Sequence, residues 1–427
     1  MVYADEQGNV YDYPGREPVF RSGNNVIRIR PDDLIPLPEG SYLYYLPGRR
    51  PLYHDLKTGK SRIMANRPEG GKALAVSAFL SSGYLRTALP AYKTTKTAPI
   101  LPLWGYCGAV FSKNRFYVPG MRIDPDPRSD PGIHQNARAL AKAVRQKQKL
   151  YPENRLIRQL SVCSTDYGCL CARNFFLQRY EVPVPTSPAC NARCLGCLSH
   201  QDEQAGFVQA QPRLAFKPTP EEITQVILHH FAKVDKAVAS FGQGCEGEPL
   251  LRAADLADAI AKVREKTDRG AININTNGSD PAAVKRLIAA GLDSIRISLN
   301  SPTETYYTRY HQPVNYGFAD VIQSIAIALE AGIFVSLNLF FMPGFTDMET
   351  EAAALFDLLE RFPVHMIQTR NLNIDPDFYF DAIGYQPSPA LGISRLIEEI
   401  RSRFPGMRLG YYNPPKETFA VSPDPAR

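Results

Sequence analysis

The 427-residue chain predicts an α/β fold: a partial, TIM-like (β/α)6 barrel, preceded by an α+β accessory domain and followed by a short C-terminal extension. Three observations predict it. From about residue 215, apolar runs of strand length alternate with segments of helical periodicity. A polar segment rich in Gly, Asn or Ser follows each of those runs. The first 178 residues lack the alternation and carry short strand-like pieces between prolines and glycines. Regular alternation favours a parallel sheet with helices outside it, and in such folds chemistry sits at the C-terminal ends of the strands.

The first strand is expected at "RYEVPVP" (179–185). "TPEEITQVILHHFAKV" then offers a capping Thr before acidic residues and helical apolar spacing. "AVASFGQG" (237–244) reads as a buried strand, "AADLADAIAKVREKT" as a helix and "AININTNG" (271–278) as a strand. "DPAAVKRLIAAG" has Asp at its start and Gly at its end, the usual helix punctuation. "SIRISLN" (294–300), "FVSLNLFFM" (334–342) and "HMIQTRNLN" (365–373) complete the strands, with helices at "FADVIQSIAIALEAG" and "METEAAALFDLLERF" between them. This divides the chain into an accessory domain (1–178), a barrel (179–375) and an extension (376–427). The accessory domain is expected to hold strands at "NNVIRIRP", "SYLYYLPG" and "RFYVPGMRID" and one helix near 134–153. The extension is expected to hold a helix (392–403), the strand "MRLGYYN" and a fraying Pro-rich tail.

A composition of 44% hydrophobic and 22% charged residues supports a large buried core. No apolar run approaches the ~18 residues of a membrane span, and the polar, acidic start does not read as a signal peptide. A cytoplasmic, reducing setting is therefore expected. There the eight cysteines point to metal binding or catalysis rather than disulfides. Residues 1–150 hold 23 Lys and Arg against 12 Asp and Glu, a net of +11; the remainder holds 26 against 31, a net of −5, and the two give the overall +6. Such a front half could attract RNA or an acidic partner, although a solvated basic surface explains it as well.

"SPACNARCLGCLSH" places Cys190, Cys194 and Cys197 in a C-x3-C-x2-C array with no fourth thiol at ligand spacing after them. Four Cys or His ligands in two pairs would suit a closed zinc site. Three leave a position open for substrate, and a four-iron cluster held by three thiolates has one iron without a protein ligand.

On this array and its place after the first strand, the segment from about 180 to 375 resembles the radical S-adenosylmethionine (SAM) enzymes. The resemblance implies a [4Fe-4S] cluster on Cys190, Cys194 and Cys197, with SAM bound at the open iron and cleaved reductively to a 5′-deoxyadenosyl radical that takes hydrogen from a substrate. Later motifs agree in order. "GEP" resembles the Gly-Glu segment that contacts the SAM amino group, which implicates Gly247 and Glu248. "SLN" resembles the ribose-binding segment, through Ser298 and Asn300, and Asn275 and Asn277 of "NTNG" line the same cleft. "PGFTD" (343–347) recurs in relatives. Ile333 and Val335 are candidates for packing on adenine. Arg309 could meet the SAM carboxylate, or form a surface salt bridge. The family also implies a flavodoxin- or ferredoxin-type reductant and oxygen sensitivity.

The chain departs from the family pattern in three places. Gly196 stands before the third Cys, where relatives often carry an aromatic residue, so another group is expected to fill that space, with the accessory domain as a candidate source. "GQGCEGEP" adds Cys245 and Glu246 beside the Gly-Glu pair, a thiol and a carboxylate placed to act catalytically; a buried Cys beside a surface Glu is the alternative. "VCSTDYGCLCARN" supplies Cys163, Cys169 and Cys171, which with Cys107 could hold an auxiliary [4Fe-4S] cluster, or be unliganded cysteines in a packed helix. The leading expectation is a radical SAM enzyme acting on a protein, an RNA or a small metabolite. An iron–sulfur electron-transfer or sensor protein on the same fold, and a zinc protein that binds RNA, are the alternatives from other classes.

Overall fold

The computed structural model describes residues 1–127, 132 and 136–420. The expected first residues of the helix near 134 and the last seven residues of the tail lie outside the described residues. Seven strands form one sheet in sequential order: β1 (Glu181–Pro183), β2 (Val238–Phe241), β3 (Ala271–Thr276), β4 (Ser294–Leu299), β5 (Phe334–Phe341), β6 (Met366–Asn371) and β7 (Arg408–Gly410). Every neighbouring pair is parallel. The six expected strands are present. The seventh comes from the extension and pairs with β6, so the extension, through Arg408–Gly410, adds a strand to the sheet.

Among the described residues three α-helices precede β1: α1 (Ala137–Leu150), α2 (Arg155–Thr165) and α3 (Leu170–Leu177). Between and after the strands come α4 (Pro220–Lys233), α5 (Ala253–Arg264), α6 (Pro281–Ala289), α7 (Glu304–His311), α8 (Phe318–Glu330), α9 (Glu349–Arg361), α10 (Pro376–Ile383) and α11 (Ile393–Arg403). Local chemistry explains the starts. Thr219 caps α4 and Glu222 bonds back to it, closing a capping box with Pro220 in the first turn. Asp280 accepts from the Ala283 N–H at the start of α6, again with Pro first.

One apolar core joins the sheet, its helices and α1–α3, including Leu160, Cys163, Phe175 and Phe176. The helix expected for an α+β accessory domain thus packs with the barrel. What remains before it, residues 1–127, is β-rich and contains no α-helix among the described residues. Its strands are short and antiparallel, for instance Tyr42–Leu46 against Ala75–Phe79 and Tyr84–Arg86 against Arg115–Arg122.

This β-rich part covers the C-terminal rim of the sheet. Arg49 and Asp375 form an ion pair at 2.7 Å with side chains 3% and 2% exposed. The same Asp375 carboxylate accepts from the Leu101 N–H. Arg21 pairs with Asp377 at 2.6 Å. Arg86, fully buried, donates to the Leu372 carbonyl, while its own N–H donates to Asn371 at the end of β6. At the PGFTD segment the Gly23 N–H donates to the Pro343 carbonyl, and a Cβ on Gly344 would strike the Gly23 backbone. Gly344 also has φ +84, so only glycine sits there without strain.

Breaking a buried pair leaves an uncompensated charge, at a cost of about 3–5 kcal/mol. Arg49→Ala should therefore lower the unfolding free energy by that amount in a denaturant titration. A loss under about 1 kcal/mol, the range of exposed pairs, would show that this ion pair does not hold the β-rich part to the rim.

Candidate functional site

A cavity of about 580 Å³ opens between the sheet's C-terminal rim and the β-rich part. Cys190, Cys194 and Cys197 line it, with Gly247, Glu248, Asn275, Asn277 and Ser298. The rim loops therefore converge as the alternating pattern predicts.

The cysteine loop is held from two sides. On one, the Gly247 N–H donates to the Ser187 carbonyl and the Glu248 N–H to the Ala189 carbonyl, so the GEP segment runs along the loop. A Cβ at Gly247 would collide with the Ala189 carbonyl, which explains the glycine. On the other side, the Leu195 N–H donates to the Tyr310 carbonyl at 3.0 Å and the Val314 N–H to the Asn191 carbonyl at 2.8 Å. The end of α7, an element the alternating pattern did not reveal, thus braces the second edge.

The thiols have distinct neighbours. The Cys197 Sγ lies 3.4 Å from the Arg213 Nη2 and 3.8 Å from the Ser199 hydroxyl, both able to donate to a thiolate. The Cys194 Sγ is 3.3 Å from the His311 Nδ1. Burial lowers the His311 pKa to about 3, so the ring is neutral. Burial also raises Cys190 to about 11 and Cys194 above the usual thiol range. Thiolates here need a cation beside them, which a metal supplies. Among the described residues no three Cys, His, Asp or Glu side chains are gathered tightly enough for a single metal ion.

Two carboxylates sit in this wall with different roles. Glu248 Oε1 accepts from the Thr276 hydroxyl at 2.5 Å and the Leu250 N–H at 3.0 Å, and Oε2 from the Asn277 N–H at 2.9 Å. Burial raises its pKa to about 7, and an ammonium beside it would return it to the ionised form. Glu246 is instead fully committed. Its Oε1 accepts from the Gly242 and Gln243 N–H groups at 2.7 and 2.9 Å; its Oε2 accepts from the Thr186 and Ser187 N–H groups at 2.6 and 2.8 Å and from the Thr186 hydroxyl. It ties the loop after β2 to the loop after β1. Glu246 is thus buried rather than the surface residue of the alternative reading, and both its oxygens are engaged in joining the loops.

Cys245 is turned away from the three-thiol loop. It lies within electrostatic reach of Cys163, whose pKa this pairing lowers to about 7, while the pairing and burial raise that of Cys245. Cys163 ends in α2, Cys169 caps α3 and Cys171 lies in its first turn. Cys107 sits apart from them in an apolar cluster with Ala78, Leu80 and Val118, its thiol donating to the Pro119 carbonyl.

The remaining expected residues divide. Asn275 donates to the Phe241 and Gly242 carbonyls, and Asn277 donates to Asn191 in the cysteine loop, so both shape the wall they line. Ser298 accepts from Asn338 at 3.2 Å. Asn300 is buried behind the cavity, donating to the Tyr306 carbonyl and Tyr379 hydroxyl. Arg309 is exposed and donates to the Ile383 carbonyl, away from the cavity. Val335 is a core residue at the opposite, N-terminal end of β5. The space beside Gly196 is filled by Tyr310, whose hydroxyl a Cβ at that glycine would meet at 2.8 Å; the filler comes from the barrel, not from the accessory domain. Asn338, Arg213, Tyr310 and His311 are missing from the sequence reading. A lone Asn in the apolar run "FVSLNLFFM" was a usable signal for the first; nothing local marked the others.

The residues fit an iron–sulfur cluster with an organic ligand beside it. The donor set is three thiols, one within reach of an arginine. The Nε2 of His311 and Oδ1 of Asn338, both in the cavity wall, have no protein partner. Glu246→Gln would leave at least two N–H groups of the joined loops without an acceptor, at about 1–3 kcal/mol each. The expected result is a less stable protein whose reconstituted iron content drops in parallel. Full iron content and unchanged stability would remove the bracing role.

Residues 184–356 match the family described as Radical SAM superfamily. A comparison with curated proteins returns no match. Similar solved structures include a radical SAM methyltransferase from Sphaerobacter thermophilus, at 17% identity and TM-score 0.39, covering 54% of this chain and 65% of that one. The FeFe-hydrogenase maturase HydG from Carboxydothermus hydrogenoformans matches at 15% and 0.38, over 65% and 70%. Methylornithine synthase (PylB) matches at 14% and 0.39, over 65% and 77%. The chain thus spans less than two thirds of the methyltransferase's length. The family match runs from the end of β1 into α9 and contains the three-thiol loop and rim segments that surround it; the chain carries a domain that matches the radical SAM superfamily.

Proposed function

We propose that this enzyme cleaves SAM reductively at a [4Fe-4S] cluster held by Cys190, Cys194 and Cys197, and acts on a small polar substrate enclosed under the β-rich part. One observation carries the reading: the three thiols, Glu248 and the Asn-lined wall share a single covered cavity. When bound, the cluster and SAM supply the electron transfer and the 5′-deoxyadenosyl radical that abstracts hydrogen.

The chain's own residues bind, orient and exclude water. Glu248, pre-aligned by Thr276 and Asn277, accepts the SAM ammonium, a charge-assisted bond. Gly247 lets the backbone pass close to the cluster loop. Ser298 and Asn338, at the facing ends of β4 and β5, bond the ribose. Arg213 donates to the Cys197 thiolate and Tyr310 closes the space beside Gly196.

About 580 Å³ falls within the roughly 300–1,000 Å³ of small-molecule sites. SAM takes part of it, and the rest suits a metabolite or one residue of a polymer. Arg296 of β4 and Arg370 of β6 line the far wall, and the Nε of Arg296 has no partner. An anionic group on the substrate fits there. The proposal includes a flavodoxin- or ferredoxin-type reductant and a second [4Fe-4S] cluster.

Anaerobic SAM cleavage, read as 5′-deoxyadenosine release under a chemical reductant, tests the assignment. Ala at Cys190, Cys194 or Cys197 should abolish release. Glu248→Gln should weaken SAM binding at least about tenfold, or 1.4 kcal/mol, with iron content intact. Release by the wild type that survives loss of all three thiols would sink the assignment. A reconstituted wild type that binds iron but never cleaves SAM would favour the electron-transfer or sensor alternative.

A further inference from the structure

Outside the three-thiol loop, four of the five other cysteines meet at one place, where α2, α3 and the loop after β2 come together. Cys163 closes α2, and its carbonyl accepts from the Cys169 N–H at 2.9 Å. Cys169 and Cys171 flank the start of α3, and the Cys169 charge acts on Cys171. Cys245 arrives from 74 or more residues further along the chain and lies within electrostatic reach of Cys163 and Cys169. We propose that Cys163, Cys169, Cys171 and Cys245 hold a second iron–sulfur cluster, with Cys245 and not Cys107 as the fourth ligand.

Four arguments support this. First, the donors are all thiols and come from two helices and a barrel loop, so the set is assembled by the fold. Second, the Cys163–Cys169 backbone bond sets the end of α2 against the start of α3, so three of the four thiols sit at adjoining helix ends. Third, charge is provided for. Arg296 and Arg370 lie within electrostatic reach of Cys171, and a four-thiolate cluster carries net negative charge that two arginines offset. Fourth, the place bridges inside and outside. Cys171 lines the cavity, whereas Tyr167, four residues before it, is 45% exposed and not part of the cavity wall.

Ligand number then limits the role. Four protein thiolates leave no iron open, so this cluster cannot anchor substrate through iron as the three-thiolate one can. Its position suits relaying single electrons between the surface and the cavity. The inference concerns thiols that the SAM-cleavage reading does not use, so the two can fail separately.

The test is iron and sulfide content with Mössbauer and EPR spectra on the anaerobically reconstituted full chain. Wild type should carry about eight irons, for two four-iron clusters. The Ala variant at Cys190, Cys194 and Cys197 should keep about four, in a cluster whose EPR signal SAM does not alter. Cys245→Ser and Cys163→Ser should halve the iron and retain the SAM-sensitive signal, and Cys107→Ser should keep all of it. The triple variant reads the second cluster without touching its ligands, so poor folding of Cys163→Ser does not blur the result. Overturning results are an iron-free triple variant, zinc in place of iron, a Cys163–Cys245 disulfide in wild type under the same anaerobic conditions, or iron that halves in Cys107→Ser but not in Cys245→Ser.

Discussion

The Glu246 carboxylate is the fixed point of this structure. It is buried at 5% exposure, and burial raises its pKa. It is matched by four backbone N–H groups and a hydroxyl from two loops. Left unmatched, those N–H groups would each cost a desolvation penalty; matched, they set the loop after β1 against the loop after β2. Everything the site needs is measured from that joint. The Gly247 and Glu248 backbone bonds follow immediately, and they place the Ser187–Cys190 turn. Cys245, the residue before Glu246, is aimed outward at α2 by the same turn, while Glu248, two residues after it, faces the cavity.

The second constraint is the roof. A radical formed in a site open to water or to loose side chains would be quenched, so the enclosure is part of the chemistry. Here it is provided by ion pairs and backbone contacts from the β-rich part to the rim, concentrated at the segments after β5 and β6. Arg49–Asp375 and Arg21–Asp377 both reach α10, and Arg86 satisfies carbonyls at the ends of β5 and β6. A buried charge pair is poor as a source of net stability but strict about geometry. It therefore suits a part whose task is to sit in one place over a cavity.

The barrel was legible in the sequence because each of its units declares itself locally. A continuous apolar run between a capped helix and a polar turn needs no distant information, as the all-buried β3 and the Thr219–Glu222 box of α4 illustrate. The Cys190–Cys194–Cys197 spacing is local in the same sense. What was illegible depends on contacts across the chain. Glu246 and a free surface acid are the same letters; only the N–H groups of 186–187 distinguish them. Tyr310 fills the gap beside Gly196 from 114 positions away. Helices α2 and α3 interrupt their apolar faces with Cys, Ser and Thr, which weakens the periodic signal. In the β-rich part, strands of two to eight residues give too few alternations for a pattern to emerge.

Cys107 and Cys245 show why proximity in sequence is a weak guide to a shared site. Cys107 is the fourth thiol by elimination when the chain is read in order, since it lies on the same side of the barrel as Cys163, Cys169 and Cys171. In the fold it belongs to a β-bridge with Ala78, and its thiol is spent on the Pro119 carbonyl; burial pushes its pKa up to about 12. Cys245 lies on the far side of the three-thiol loop in sequence, yet the β2 loop swings it onto α2. The consequence is topological. The Cys245–Glu246–Gly247–Glu248 run reaches the Cys163 group, the loop brace, the three-cysteine loop and the cavity wall in four successive residues, so a shift in one is transmitted to the others through a single short turn.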